Sequence, residues 1–339
     1  MKKRIIAIML GLIMVLALAG CGQGEEKASD EPQSEGGDYA ALKIVLVLPG
    51  SIDDQSWNAS NYAGAQAADA ELGTHIEVVE SVPVEEFEST FTEYGEKGYN
   101  IVMSAGSQFD EAAAAIAPNY PNTYYCVING QKSETDNMVP VFPKEYEGSY
   151  IAGILAGYAT KNGKFATMGG ESNVPMVHLL DTYEKAAVDT AKSRGIDDAA
   201  AKRAFINSWT DVSLTKSTTD QMLDNGADVA FCYSNEGTSG AIQSCADKGA
   251  KFIGFAADKN SESDCVFGSV NMVWANVYPL IVKGIASGEL KGKQEVGLAE
   301  GIFEMCYTDA CTDEIKDACQ AAWNGVVSGE TDLTKYFSK

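Results

Sequence analysis

The chain has 339 residues, of which 45% are hydrophobic, and its formal net charge at pH 7 is −23. Proteins that bind nucleic acid present a basic surface to the phosphates, so this charge excludes a nucleic acid as a partner. Once a short N-terminal segment is set aside, about 300 residues are left to fold, which is enough for two lobes of ordinary domain size.

The N-terminal residues 1–20 have the pattern of a secretory signal. Basic residues at 2–4 precede an almost wholly apolar run over 5–17, which is too short for a membrane span. Leu-Ala-Gly-Cys at 18–21 resembles a bacterial lipobox, which implies cleavage before Cys21 and diacylation of its sulfur. An ordinary signal peptide with a chance cysteine is the alternative. Residues 21–40 are polar, and we expect a disordered tether from a lipid anchor on the extracytoplasmic face of the cell membrane.

Residues 43–73 predict a buried strand, a polar loop and a helix. The strand covers 43–48, Pro-Gly-Ser interrupts the pattern, and small and apolar residues at helical spacing follow up to Gly73. The loop and the helix start carry Asp53, Asp54, Trp57 and Asn58. Ligands of open parallel sheets bind at the carboxyl ends of strands, so we expect these residues to form half of a small-molecule pocket.

Strand and helix patterns continue to alternate through the first half of the chain. Further strands are predicted at 76–80, 100–105 and 124–129, and helices near 58–72, 85–97 and 109–118. Such alternation is typical of βαβ units, in which a parallel sheet carries helices on both faces.

After a short extended piece at 139–142, the alternation restarts. An apolar helix rich in small residues is predicted at 144–161, and an extended piece at 297–303 precedes an acidic helix at 312–327. The other predicted strands are 164–168, 203–207, 228–233, 251–255 and 265–270, and the other helices 175–194, 212–225, 238–249 and 273–287. We therefore predict an α/β protein with two doubly wound, Rossmann-like lobes, a hinge and a ligand cleft. One lobe takes 41–143 plus about 272–295, the other 144–271 plus about 296–339.

Polar and aromatic residues follow several of these strands. Because the carboxyl ends of parallel strands share one edge of a sheet, we expect these residues to line the cleft. The alternatives are plain turns for the polar residues and core positions for the tryptophans. The candidates, besides those of the first loop, are Gly106, Ser107 and Asn129 in the first lobe and Met176, Trp209, Asn235, Glu236, Asp258, Asn271 and Trp274 beyond it.

Cysteine and histidine usage gives no sign of catalysis or of a metal. Seven cysteines besides Cys21 cannot all pair internally, and a disulfide among Cys306, Cys311 and Cys319 is left open. We expect Cys126 and Cys232, in apolar strands, to be core residues. The two histidines lie in no known catalytic motif, so we expect a protein that is not an enzyme and holds neither cofactor nor metal.

Three stretches resemble the basic membrane protein (BMP) family of substrate-binding lipoproteins for ABC importers. They are GSIDDQSWNASNYAG at 50–64, YEGSYIAGILAGYATK at 146–161 and KFIGFAADKN at 251–260, and the resemblance covers about residues 41–305. It implies the type I periplasmic-binding-protein fold, a purine ligand, an ABC permease as membrane partner, and a monomer.

Two departures from the family pattern bear on the ligand. The resemblance implies that nucleoside-binding members use an Asp and a Lys for the ribose hydroxyls, and these positions fall here on Ala256 and about Met272. Their loss favours a free nucleobase such as adenine over a nucleoside. A ligand-sensing lipoprotein for a membrane receptor, a nucleoside- or flavin-binding member of the family, and an enzyme using Asp53 and Asp54 are the alternatives.

Overall fold

The computed structural model describes residues 39–53 and 57–338. The predicted signal peptide, Cys21 and nearly all of the tether lie outside these residues, as does Asp54. No helix within the described ranges is long and apolar enough to cross a bilayer.

The first sheet has six parallel strands in the order β11-β5-β4-β3-β1-β2. Residues alternate along each strand, so that Ile44 and Leu46 face one core and Val45 and Val47 face another. Helices α1 and α8 cover the first face, and α2 and α3 cover the second. The elements are β1 Lys43–Val47, α1 Trp57–Leu72, β2 His75–Val79, α2 Phe87–Glu96, β3 Ile101–Ala105, α3 Asp110–Ile116, β4 Tyr124–Ile128, β5 Val141–Pro143, α8 Tyr278–Ser287 and β11 Gln294–Val296.

The second sheet has the order β12-β10-β9-β8-β6-β7, with β12 antiparallel to β10 and the other strands parallel. Helices α4, α5 and α9 pack on one side, and α6 and α7 on the other. Its elements are α4 Glu145–Ala159, β6 Lys164–Gly169, α5 Val174–Ser193, β7 Ala200–Phe205, α6 Val212–Asp224, β8 Val229–Tyr233, α7 Thr238–Lys248, β9 Lys251–Ala256, β10 Val266–Met272, β12 Phe303–Tyr307 and α9 Asp313–Val327. The prediction of two doubly wound lobes is confirmed.

Three local predictions were wrong. The extended piece at 297–303 is instead a loop between two strands, β11 and β12, that belong to different sheets. Strand β7 begins at Ala200, earlier than predicted, because its partner Lys164 in β6 fixes the register. The helix predicted from 273 begins only at Tyr278, after a 3-10 turn over Trp274–Asn276. Pro279 explains this start, since proline fits the first turn of a helix but not its interior.

The chain crosses between the two sheets three times, after β5, after β10 and after β11. The first and third crossings are tied together by Glu147, which is buried. Its carboxylate accepts a hydrogen bond from the Leu298 backbone N–H at 2.8 Å and pairs with Lys144 Nζ at 2.7 Å. The first and third crossings are therefore directly connected.

The cysteines of the described residues are all free thiols. The disulfide left open among Cys306, Cys311 and Cys319 does not form, and the Cys311 thiol instead donates to the Phe267 carbonyl at 3.2 Å. Cys126 and Cys232 are buried in strands, which confirms their assignment to the core.

Helix α4 can lie close to α5 because it carries glycine at the contact. A Cβ atom at Gly153 would clash with the Tyr183 carbonyl oxygen and lie 2.7 Å from Ala186 Cβ. The Tyr183 oxygen belongs to the backbone, so it cannot rotate away from the new Cβ as the end of a flexible side chain could.

We expect Gly153→Ala to lower the free energy of unfolding by about 1–3 kcal/mol, the usual cost of overpacking. Denaturant titration followed by circular dichroism measures this. The control is Gly325→Ala in α9, where the nearest atom to the new Cβ is a single hydroxyl oxygen, of Thr331, at 2.8 Å. In Gly325→Ala the gain in helix propensity should offset the close contact with Thr331. A fall in its free energy of unfolding as large as that of Gly153→Ala would contradict this account of the packing.

Candidate ligand-binding site

A cavity of about 580 Å³ lies where strand ends of both sheets meet. Residues in β5 and after β1, β3 and β4 form one side of it, and residues at the end of β8 or after β6, β7 and β8 form the other. The first side is formed by Trp57, Gly106, Ser107, Gln108, Asn129, Gln131 and Phe142, and the second, with the start of α4, by Glu145, Glu171, Asn173, Pro175, Met176, Trp209, Tyr233 and Asn235.

The first side is organised around Trp57, the first residue of α1. Its indole Nε1–H donates to the Ala105 carbonyl at the end of β3, at 3.0 Å, and its ring meets Trp274 edge to face at 5.8 Å. These two contacts fix the orientation of the ring. Gly106 has a φ of 141° and Asn129 a φ of 63°. Both values need residues that tolerate positive φ, and they turn the chain sharply at the cavity wall.

The second side presents Trp209, which lies between β7 and α6. Gly170 lies against its ring, since a Cβ there would approach Trp209 Cε3 to 2.6 Å, and Tyr233 meets the ring edge to face at 6.0 Å. Asn173 caps α5 by accepting from the Met176 N–H at 3.0 Å, which holds Met176 in the wall.

A carboxyl group and a phenol meet in the wall of the cavity. The Tyr233 hydroxyl, at the end of β8, donates to Glu145 Oε1 at 2.9 Å. Burial raises the pKa of the Glu145 carboxyl to about 7, and the hydrogen bond from Tyr233 partly opposes this rise. Burial also raises the pKa of Tyr233 well above its ordinary value, so Tyr233 stays a hydrogen-bond donor at neutral pH.

A second, smaller cavity of about 30 Å³ adjoins the first and shares Trp57, Tyr233 and Asn235 with it. A space of this size holds a water molecule or two. Its further lining is largely apolar, and Lys259 in it pairs with Glu262 at 2.8 Å. The other lining residues are Ser60, Thr238, Phe255, Ala256, Ala257, Met272 and Trp274.

Eight of the residues that the sequence predicted line one or both cavities. They are Trp57, Gly106, Ser107, Asn129, Met176, Trp209, Asn235 and Trp274. Trp274 is also a core residue, since it is only 1% exposed.

Five others lie outside the lining of both cavities. Asp53 and Glu236 are exposed. Asp258 is exposed as well and accepts from the Asn260 N–H at 3.0 Å, while the Asn271 amide donates to Glu304 at 2.8 Å. Asn58 is buried against Gly50. Asp258 thus serves a turn and Asn271 serves strand pairing, which are common roles of Asp and Asn after strands.

The sequence reasoning missed several residues of the larger cavity, notably Glu145 and Tyr233. Tyr233 is the last residue of a predicted strand. Neighbouring residues of a strand point to opposite faces of the sheet, so Tyr233 is expected on the face opposite to Cys232. Glu145 gave no such signal, because acidic residues are common in the first turn of any helix. The other missed residues are Gln108, Gln131, Phe142, Glu171, Asn173 and Pro175.

The side chains that line the two cavities can hold a small ligand by stacking and hydrogen bonding. Within the residues that the structure describes, no group of three His, Cys, Asp or Glu side chains could hold a metal ion. The two cavities offer aromatic faces, amide groups and one carboxyl–phenol pair. Such a set fits a planar ligand with hydrogen-bonding edges.

Comparisons with known proteins agree with this description. The nucleoside-binding ABC transporter protein BmpA of Lactococcus lactis subsp. cremoris (strain MG1363) is 25% identical over 97% of this chain and 98% of its own length. A purine-binding protein of Brucella abortus (strain 2308) is 22% identical over 85% of this chain and 82% of its own. A solved solute-binding protein of an ABC transporter system from Aeropyrum pernix K1 is similar in fold, with a TM-score of 0.72 and 20% identity over 87% of this chain and 95% of that one.

A family model confirms the resemblance that the sequence motifs indicated. The model, described as Bmp, ABC transporter substrate-binding protein PnrA-like, matches residues 41–335. The chain therefore belongs to the Bmp family of ABC transporter substrate-binding proteins.

Proposed function

We propose that this protein delivers a purine, with a free nucleobase such as adenine preferred, to an ABC importer. The observation that carries the proposal is the pair of indoles, Trp57 from one lobe and Trp209 from the other, on the walls of one cavity. Stacking of a base on an aromatic side chain is worth about 1–3 kcal/mol per base. Two relatives whose names refer to a nucleoside and to purines support the same ligand class.

The polar groups around the two indoles would distinguish a purine from other flat heterocyclic ligands. Amide side chains both donate and accept hydrogen bonds, so they match the mixed edges of a purine. The cavity of about 580 Å³ falls in the range of small-molecule sites. The amides that line it are Gln108, Asn129, Gln131, Asn173 and Asn235.

The preference for a nucleobase over a nucleoside rests on the smaller cavity. Ala256 and Met272, the positions at which the family resemblance implies ribose contacts, both line it and carry no hydrogen-bonding side chain. A nucleoside would therefore lack, at these two positions, the ribose contacts that the family resemblance implies.

A ligand that contacts both lobes stabilises a closed state by motion at the three crossings. The lobe bounds that we propose are 41–143 with about 272–295, and 144–271 with about 296–339. The closed monomer then docks on the permease, and ATP hydrolysis belongs to the transporter's ATPase. Lipidation of Cys21 and the tether up to residue 40 would keep the protein at the extracytoplasmic face of the membrane.

We expect adenine to bind more tightly than adenosine, because Ala256 and Met272 replace the two ribose contacts that the family resemblance implies. Titration calorimetry measures both on protein that has been unfolded in guanidinium chloride and refolded, which removes co-purified ligand. Tighter binding of adenosine would contradict the nucleobase preference alone. The absence of binding by adenine, adenosine, guanine and hypoxanthine would contradict the purine proposal.

We expect Trp57→Ala to weaken adenine binding at least about tenfold, the loss of roughly 1.4 kcal/mol of stacking. Trp57→Phe keeps an aromatic face and should lose less. The control is Trp323→Phe, in α9 and outside the lining of both cavities, which should leave both the affinity and the ligand-induced change in tryptophan fluorescence intact. An affinity of Trp57→Ala equal to that of the control would remove Trp57 from the binding site.

A further inference from the structure

Glu145 is a half-buried acid that lines the larger cavity, and only one of its carboxyl oxygens accepts a hydrogen bond. Oε1 accepts the hydrogen bond from Tyr233 at 2.9 Å. Oε2 has no hydrogen-bond partner among the residues that the structure describes. The side chain is half-buried and lines the cavity, so its second oxygen is available to a molecule bound there.

No cation balances Glu145 within the described part of the chain. Lys144, its neighbour in sequence, is engaged by Glu147 at 2.7 Å and by Glu300 at 3.9 Å. Glu171, the other carboxyl group on the wall, is exposed. Lys259, in the adjoining cavity, pairs with Glu262. Tyr233 and the positive end of the α4 dipole are what stabilise a charge on Glu145.

We propose that Glu145 determines specificity in this site by donating a hydrogen bond from Oε2, as the neutral acid, to an unprotonated ring nitrogen of the bound base. The inference rests on the proposed function, because it requires a purine in the cavity. A purine that stacks between the lobes would remove the remaining water from this carboxyl group. Covering an unpaired carboxylate costs several kcal/mol, so the acid takes a proton from solvent as the ligand binds.

The protonation state selects among bases. A neutral carboxyl group donates with one oxygen and accepts with the other, whereas a carboxylate only accepts. With Oε1 accepting from Tyr233, the neutral acid can meet an acceptor nitrogen such as those of adenine. Hypoxanthine and guanine carry an N–H on the ring where adenine has an acceptor nitrogen. Oε2 of Glu145 can accept a hydrogen bond from that N–H only after the carboxyl group has lost its proton.

The pH dependence has a definite sign. Burial raises the pKa of Glu145 to about 7, so the neutral form dominates below that pH and is lost above it. Adenine affinity should therefore be highest in mild acid and fall by up to tenfold per pH unit once the acid has ionised. Between about pH 6 and pH 8.5 the expected loss is about thirtyfold.

Calorimetric titration of the purified protein with adenine over this pH range tests the inference. In two buffers of different ionisation enthalpy, the heats should report an uptake of close to one proton per adenine at the alkaline end and almost none at the acid end. Glu145→Gln keeps an N–H donor without a titrating proton, so its adenine affinity should vary less than about threefold over the range. The matched control is Glu88→Gln, an exposed glutamate in the first turn of α2, which should retain the full pH dependence.

Tyr233→Phe gives an independent check that does not remove the carboxyl group. The hydrogen bond from Tyr233 lowers the pKa of Glu145, so its loss should move the fall in affinity to higher pH. Adenine affinity that is independent of pH in the unaltered protein, or a pH dependence that Glu145→Gln preserves, would overturn the inference and leave the proposed function standing. No binding of any purine at any pH would overturn both.

Discussion

The structure depends on the constraint that strands of a parallel sheet all end at the same edge. Each βα unit must return its chain to the opposite edge, so the loops after the strands collect on one side of each lobe. In this protein the loops after β1, β3 and β4 meet those after β6, β7 and β8 around one cavity. The site is thus a consequence of topology, and the side chains in these loops decide what it holds.

This constraint also explains how much of the fold and of the cavity wall could be predicted from the sequence alone. Alternating strand and helix patterns predicted two lobes, and residues after strands predicted the cavity wall, as Trp57, Asn129 and Trp209 illustrate. Whether a side chain after a strand turns inward depends on local geometry. Asp53 and Asp258 follow strands just as these residues do, yet both are exposed. Glu145 enters the cavity because of where α4 begins after the first crossing, which no local pattern reveals.

The first crossing serves two purposes within three residues. Glu145 lines the cavity and accepts from Tyr233, while Glu147 is buried with Lys144 and the Leu298 N–H of the third crossing. A buried ion pair adds little net stability but strongly disfavours arrangements that break it. The first and third crossings are therefore held in a defined geometry directly beside a carboxyl group that lines the cavity. Under the proposed role of Glu145, a change in its protonation on ligand binding would occur within one helical turn of Glu147, which ties these crossings together.

The charged side chains around the cavities indicate whether the ligand can carry a phosphate group, and this evidence does not depend on stacking. Among the described residues that line the two cavities, Glu145 and Glu171 are acidic, and the one basic side chain, Lys259, is engaged by Glu262. A phosphate group entering this space would meet carboxyl groups and no available cation, in a protein whose net charge is −23. Moving a phosphate out of water into a partly dry cavity that offers no cation costs several kcal/mol, which is more than one stacked ring returns. Under the proposed function, the site would therefore accept a neutral purine and exclude its nucleotide, and an importer supplied by this protein would take up purines already freed from phosphate.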